Sequence, residues 1–171
     1  AFWIHCPNSN QKQFTAGLSA NQYLGQHFGY VTQVFSANNA YKENNLPKNY
    51  YTATGNKTDI SIFLKYNHNL TNKFNYFLDL QGRKVIHKGN GTDNDLREIN
   101  FEGNYSFFNP KGGFSYLNLQ SFQRKNTTKV FVNHEFSGSI GMGNKEPSRS
   151  DFTDNKGGII PKPEQMVDYE L

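Results

Sequence analysis

Histidines, cysteines, clustered carboxylates and glycine-rich turns are where chemistry would first show in this chain. The five histidines, His5, His27, His68, His87 and His134, form no H-x-H or H-x-x-x-H pair, so spacing alone places no two of them on one face to hold a metal ion. Asp93, Asn94, Asp95 and Glu98 offer oxygen ligands, but the glycine and terminal glutamate spacing of a helix-loop-helix calcium site is missing, and a solvated acidic loop is the simpler expectation. Gly138-Ser139-Ile140-Gly141-Met142-Gly143 is glycine-rich after an alternating run. It has neither the Lys-Ser/Thr of a phosphate loop, nor a G-x-G-x-x-G order, nor a following helix. Cys6 is the single cysteine, which excludes an internal disulfide and a cysteine metal cluster. Asn56, Asn69, Asn90, Asn104 and Asn126 each open an N-x-S/T sequon, as an asparagine-rich chain does by chance. No nucleophile is set beside a base and an orienting partner. These residues point away from an enzyme and imply no catalytic residue, metal or cofactor.

The elements that would position such residues are strands. In the hairpin 58–84, Ile60, Ile62, Leu64 and Tyr66 share one face, and Ser61, Lys65 and Asn67 the other. After the turn 69–72, Phe74, Tyr76, Leu78 and Leu80 oppose Asn75, Asp79, Gln81 and Arg83, with Phe63 and Phe77 as intruders on the polar face. Strict alternation is the mark of a half-buried strand. Each run has about 9 to 12 residues, longer than the usual ~5 to 6 and close to the ~9 to 11 that cross a bilayer when tilted. Tyr66 and Phe74 place aromatics at the turn end, where a membrane-barrel girdle would lie.

The rest of the chain follows the same rhythm. Residues 2–4 read as a strand end, and residues 14–20 as a strand with Phe14, Ala16, Leu18 and Ala20 on one face. The pattern lapses over 25–56, where 31–35 are expected to extend a flanking strand, and again over 87–97. A strand is expected from Ile99 through Tyr116, broken or bulged at Pro110, which has no N–H to give a central ladder. A polar turn is expected over 118–128, a strand over 129–143, and an irregular stretch over 144–163. In the strand over 129–143, Phe136, Gly138, Ile140 and Met142 oppose Ser137, Ser139, Gly141 and Gly143, whose small side chains leave room for something beside them. The last run, Val167, Tyr169 and Leu171 against Asp168 and Glu170, stops mid-alternation at the final residue, and the chain opens on Ala1. Six or seven antiparallel strands with short and long connections in turn are expected, as part of a larger up-and-down barrel.

Composition agrees with this class. The net charge of +4 is spread among Asn, Thr and Gly with no basic stripe, which argues against nucleic acid as a partner. No apolar run reaches the ~18 residues of a spanning helix. The mean hydropathy of -0.78 leaves a membrane barrel open, because only every second strand residue faces lipid.

The segment Gly143-Asn144-Lys145-Glu146-Pro147-Ser148-Arg149-Ser150-Asp151-Phe152, followed by Pro163-Glu164-Gln165-Met166-Val167-Asp168-Tyr169-Glu170-Leu171, resembles a loop and strand of TonB-dependent outer-membrane receptors, most closely those of Bacteroidetes. Phe107-Phe108-Asn109-Pro110-Lys111-Gly112-Gly113 resembles the family's upstream F-F-N-P-K-x-G strand, and Gln26 to Val31 and Lys57-Thr58-Asp59 fit more weakly. The resemblance covers the chain from about Gly17 onward. It implies a slice of a transmembrane barrel of about 22 strands closed around a plug, with the plug and the remaining strands outside these residues. It further implies a bacterial outer-membrane location, outer-membrane lipid, the plug and the TonB complex as partners, and energy-dependent uptake of a scarce small molecule or glycan (iron chelate, haem, cobalamin or glycan). His27, His87 and Arg149, in expected outer loops, are then the candidate ligand contacts. The alternatives are a small complete porin-like or adhesive barrel, and a soluble lipocalin-like or sandwich binding module.

Overall fold

The computed structural model describes residues 2–9, 11–31, 49–122, 130–155 and 158–171. The expected extension over 32–35, most of the expected turn over 118–128 and the Asn126 sequon lie outside the described residues. The chain is all-β. Seven strands, β1 (Phe2–Ser9), β2 (Lys12–Gly29), β3 (Tyr51–Asn69), β4 (Phe74–Thr92), β5 (Glu98–Phe122), β6 (Val130–Lys145) and β7 (Glu164–Glu170), form one sheet in chain order. Every neighbouring pair is antiparallel. A short helix, α1 (Arg149–Thr153), interrupts the connection from β6 to β7. No described helix is long and apolar enough to cross a membrane.

Register sorts the side chains into two faces. One cross-strand row runs Leu18, Ile62, Gly82, Phe108; the next runs Ala16, Leu64, Leu80, Pro110; a third runs Phe14, Tyr66, Leu78, Gly112, Ile140, Tyr169. This apolar face is open: Ile62, Phe108 and Ile140 are 56%, 55% and 62% exposed. On the opposite face, Ser19, Ser61, Arg83 and Phe107 form one row and Thr15, Lys65, Asp79, Lys111, Gly141 and Asp168 another. Here the core lies, around the fully buried Val85 with Tyr105 and Phe107. The sheet is therefore inverted in part: the apolar rows are bare and the ionic groups Asp59, Arg83 and Glu146 are covered, while Lys65, Lys111 and Asp168 of the second polar row stay exposed.

The phenylalanines on the polar face have a steric reason. Phe63 pairs with Gly17, Phe77 with Gly113 and Phe101 with Gly89, and a Cβ on those glycines would lie 2.3 to 2.6 Å from the opposing ring. Each ring thus lies flat across its neighbour strand where no side chain stands.

Several boundaries differ from the sequence reading. β2 continues to Gly29 and β3 begins at Tyr51, so the lapse at 25–56 is strand at both ends. β4 runs to Thr92, which shortens the expected loop at 87–97 to residues 93–97, closed by bonds from Asp93 N to Arg97 O and from Leu96 N to Asp93 O, both 2.9 Å. Leu96 takes a left-handed φ of 64° there. Gly91, at φ 124°, cannot carry a side chain, because a Cβ would lie 2.4 Å from the Thr52 carbonyl. β5 and β6 extend the expected turn at 118–128 downward as paired strand through Phe122 and Val130. The hairpin turn after β3 falls where expected, with the Thr71 hydroxyl accepting from Lys73 N and Phe74 N.

Candidate functional site

The polar face carries an ionic cluster near the middle of β3 and β4. Lys57 and Asp59 stand two apart on β3, which puts both on one face, and Arg83 of β4 reaches them from the adjacent strand. The Arg83 guanidinium donates from Nε and Nη2 to Asp59, at 3.1 and 2.5 Å, and from Nη1 to Glu146 Oε2 at 2.9 Å. Lys57 Nζ donates to Glu146 Oε1 at 2.5 Å. Two cations meet two carboxylates, so the cluster is neutral and leaves no free charge for acid or base work. Glu146 is buried, at 8% exposure. Burial pushes its carboxyl up, but the hydrogen bond from Lys57 and the charges of Arg83 and Lys57 outweigh that and hold it below its ordinary value.

Glu146 belongs to the segment after β6, and the cluster explains why that segment folds back over the polar face. Ser148 caps α1, accepting from Asp151 N, while the Asp151 carboxylate accepts from Ser148 N at 2.7 Å, a reciprocal capping box. The Ser148 hydroxyl, which also donates to the Asp151 carboxylate at 2.8 Å, and the Ser148 N–H hold that carboxyl below its usual range. Phe152 then stacks on Phe101 at 4.4 Å, and His87 meets both rings edge-on, at 5.2 and 5.6 Å. Gly103 makes room, since a Cβ would lie 2.6 Å from the Phe152 ring. Farther along, Tyr105 donates its hydroxyl to the Pro161 carbonyl at 2.9 Å. An ion pair, a capped turn, an aromatic stack and one hydrogen bond thus fasten this strap to the sheet.

The three residues expected to contact ligand from outer loops are placed differently. His27 lies in β2 opposite Ala53, and His87 in β4 opposite Lys57 and Gly103; only Arg149 is outside a strand, at the start of α1. The structure nevertheless gathers them on one face at one end of the sheet. A Cβ on Gly55 would lie 3.7 Å from His27 Nε2 and 3.9 Å from Arg149 Nη1, and Arg149 Nη2 reaches Asp93 at 3.4 Å. His87 Nδ1 and Arg149 Nη1 are buried without a hydrogen-bond partner among the described residues. Asp95, offered by the sequence as a calcium ligand, is paired with Arg97. Among the described residues no three His, Cys, Asp or Glu side chains group as metal ligands.

Sequence reasoning passed over Glu146 and Phe152 as individual actors. The signal was present: Ser148 three residues before Asp151 is a capping box, and a charged residue next to a proline at a strand end is well placed to turn back on its own sheet. No family model, curated protein or solved structure matches the chain.

Proposed function

We propose that this chain is wall and strap of a membrane-spanning β-barrel receptor that takes up a scarce ligand across the bacterial outer membrane, as its resemblance to TonB-dependent receptors implies. The observation that carries the reading is the inverted sheet. Bare apolar rows on β2 to β6 are what lipid requires, and a polar opposite face that takes in a connecting segment is what a filled lumen requires. On β3 the apolar rows run from Ile60 to His68, about nine residues, within the ~9 to 11 of a tilted spanning strand. Aromatics close the turn end of that band, where Tyr76 accepts or donates with His68 Nδ1 at 3.0 Å and packs near Tyr66 at 6.1 Å. Beyond the band, Thr52, Thr54, Asn56, Lys88 and Glu102 make the same face polar, as an extension into water would be. Lipid, a plug and an energy-coupling complex are the partners this reading calls for.

The exposure of Ile62, Phe108 and Ile140 favours lipid contact over a soluble lipocalin-like module. The test is fractionation and uptake in cells that make the full gene product. Recovery in the outer-membrane fraction, with accumulation of one ligand from a panel of ferric chelates, haem, cobalamin and glycans lost on gene disruption and on collapse of the proton gradient, supports the reading. Recovery in the soluble fraction overturns it.

A further inference from the structure

The sheet contains a fork. β5 is paired with β4 from Glu98 to Tyr116, yet its ladder to β6 begins only at Lys111, opposite Gly141. Beyond Gly141, β6 pairs with β7 alone, Met142 with Val167 through Lys145 with Glu164. The residue at which the β5–β6 ladder stops is Pro110, whose missing N–H removes the next rung. The sequence expectation of a break at Pro110 therefore holds on one side only, since on the other side Pro110 stays in register with Leu80. Above it, the Asn144 side chain spans the gap: Nδ2 donates to the Phe108 carbonyl at 3.3 Å and to Asn109 Oδ1 at 2.8 Å.

Directly behind the fork, on the polar face, lies a cavity of about 430 Å³, bordered by Asn109 and Lys111 on one lip and Met142 and Gly143 on the other, and backed by Phe63, Gln81 and the Lys65–Asp79 ion pair. In front of the fork, on the apolar face, stand the exposed Phe108 and Ile140. Lys111 has no ion pair among the described residues; Asp79, opposite it, pairs with Lys65 at 3.5 Å. Its stem lies along Gly141, where a Cβ would meet it at 3.2 Å, so the absence of a side chain there gives the ammonium room to turn toward the gap. The fork thus joins an apolar surface to a polar cavity holding an unpaired cation.

We infer that the fork is a lateral port for an anionic amphiphile: a fatty-acid carboxylate enters between β5 and β6 to meet Lys111 and Asn109, while its tail stays against Phe108 and Ile140. The inference rests on the apolar face being lipid-facing. Phe108 and Ile140 supply the surface that an acyl chain favours, and Lys111 supplies a charge-assisted partner for the head group. Asn144 is the bolt, and Pro110 is the reason the seam cannot close as a ladder.

The probe is oleate carrying a diazirine at its carboxyl end, added to the full chain in nanodiscs of neutral phospholipid. Crosslinks are expected to concentrate on residues 107–111 and 140–144. Lys111→Gln should weaken oleate binding about tenfold, Pro110→Val, which restores the N–H, should abolish preferred labelling, and Asn144→Ala should raise it. None of the three should alter incorporation into the nanodisc. Labelling spread evenly over the apolar face and indifferent to Lys111→Gln overturns the port. Failure of the chain to enter nanodiscs at all is a separate result, which overturns the membrane reading on which the port rests.

Discussion

The two faces of β3, β4 and β5 are built from the same strands by the same alternation, and they meet opposite surroundings. On one side Ile62, Leu64, Leu78 and Phe108 stand in the open. On the other, Asp59 and Arg83 are largely covered and Glu146 is buried with them. Burial therefore lies on the face the strap covers, where Val85, Tyr105 and Phe107 are buried along with Glu146. The polar face is ordered by matched charge and aromatic stacking, whereas the apolar face is left for whatever lies beyond it. Lipid against the apolar face, as proposed above, would require that difference.

The harshest way to break the comparison is to strip the polar face of its centre. Arg83→Ala leaves Asp59 and the buried Glu146 without their shared partner, and is expected to cost about 3 to 5 kcal/mol, read as a shift in the urea unfolding midpoint of the detergent-solubilised chain. Next is the apolar face. Ile62→Arg is expected to cost about 2 to 4 kcal/mol in partitioning into bilayers, while leaving the strap protected from protease; in a water-facing sheet the same change would be neutral. Phe152→Ala removes the ring stacked on Phe101 and under His87, with an expected loss of about 2 kcal/mol and faster cleavage within 146–163. Ser148→Ala removes the cap of α1 and should cost about 1 kcal/mol, read as faster amide exchange at Asp151.

Acid is the gentlest probe. The Glu146 carboxyl is lowered in the folded chain, so its stabilising contribution is complete above its unfolded value of about 4.3 and is lost as pH falls through the lower folded value. Strap protection measured by amide exchange should hold at neutral pH and fall only on strong acidification. Glu146→Gln should remove that acid step.

The fold was legible where alternation was strict. Ile60 to Tyr66 and Phe74 to Leu80 declare their faces by residue type alone, and the hairpin between them was placed correctly. It was illegible where both faces turn polar: Thr52, Thr54 and Asn56 on the apolar side hide the first third of β3, although its ladder to β2 is unbroken. Glycines misled as well. Gly89 and Gly91 read as loop, yet one accommodates the Phe101 ring and the other the Thr52 backbone. The candidate site was half legible. His27, His87 and Arg149 could be named from position and type, but the Arg83–Glu146 bond joins residues 63 apart, and no local pattern encodes that pairing.

The central claim is that the two faces see different media, and spin labels placed singly on either face test it most directly. With the chain in nanodiscs, labels at positions 62, 78 and 140 should collide freely with dissolved oxygen and hardly with a water-soluble nickel chelate, while labels at 81 and 109 should be shielded from oxygen. Nickel collisions at 62, 78 and 140 as frequent as at the exposed turn residue Asn72 would contradict the account, because they would place water against the apolar face.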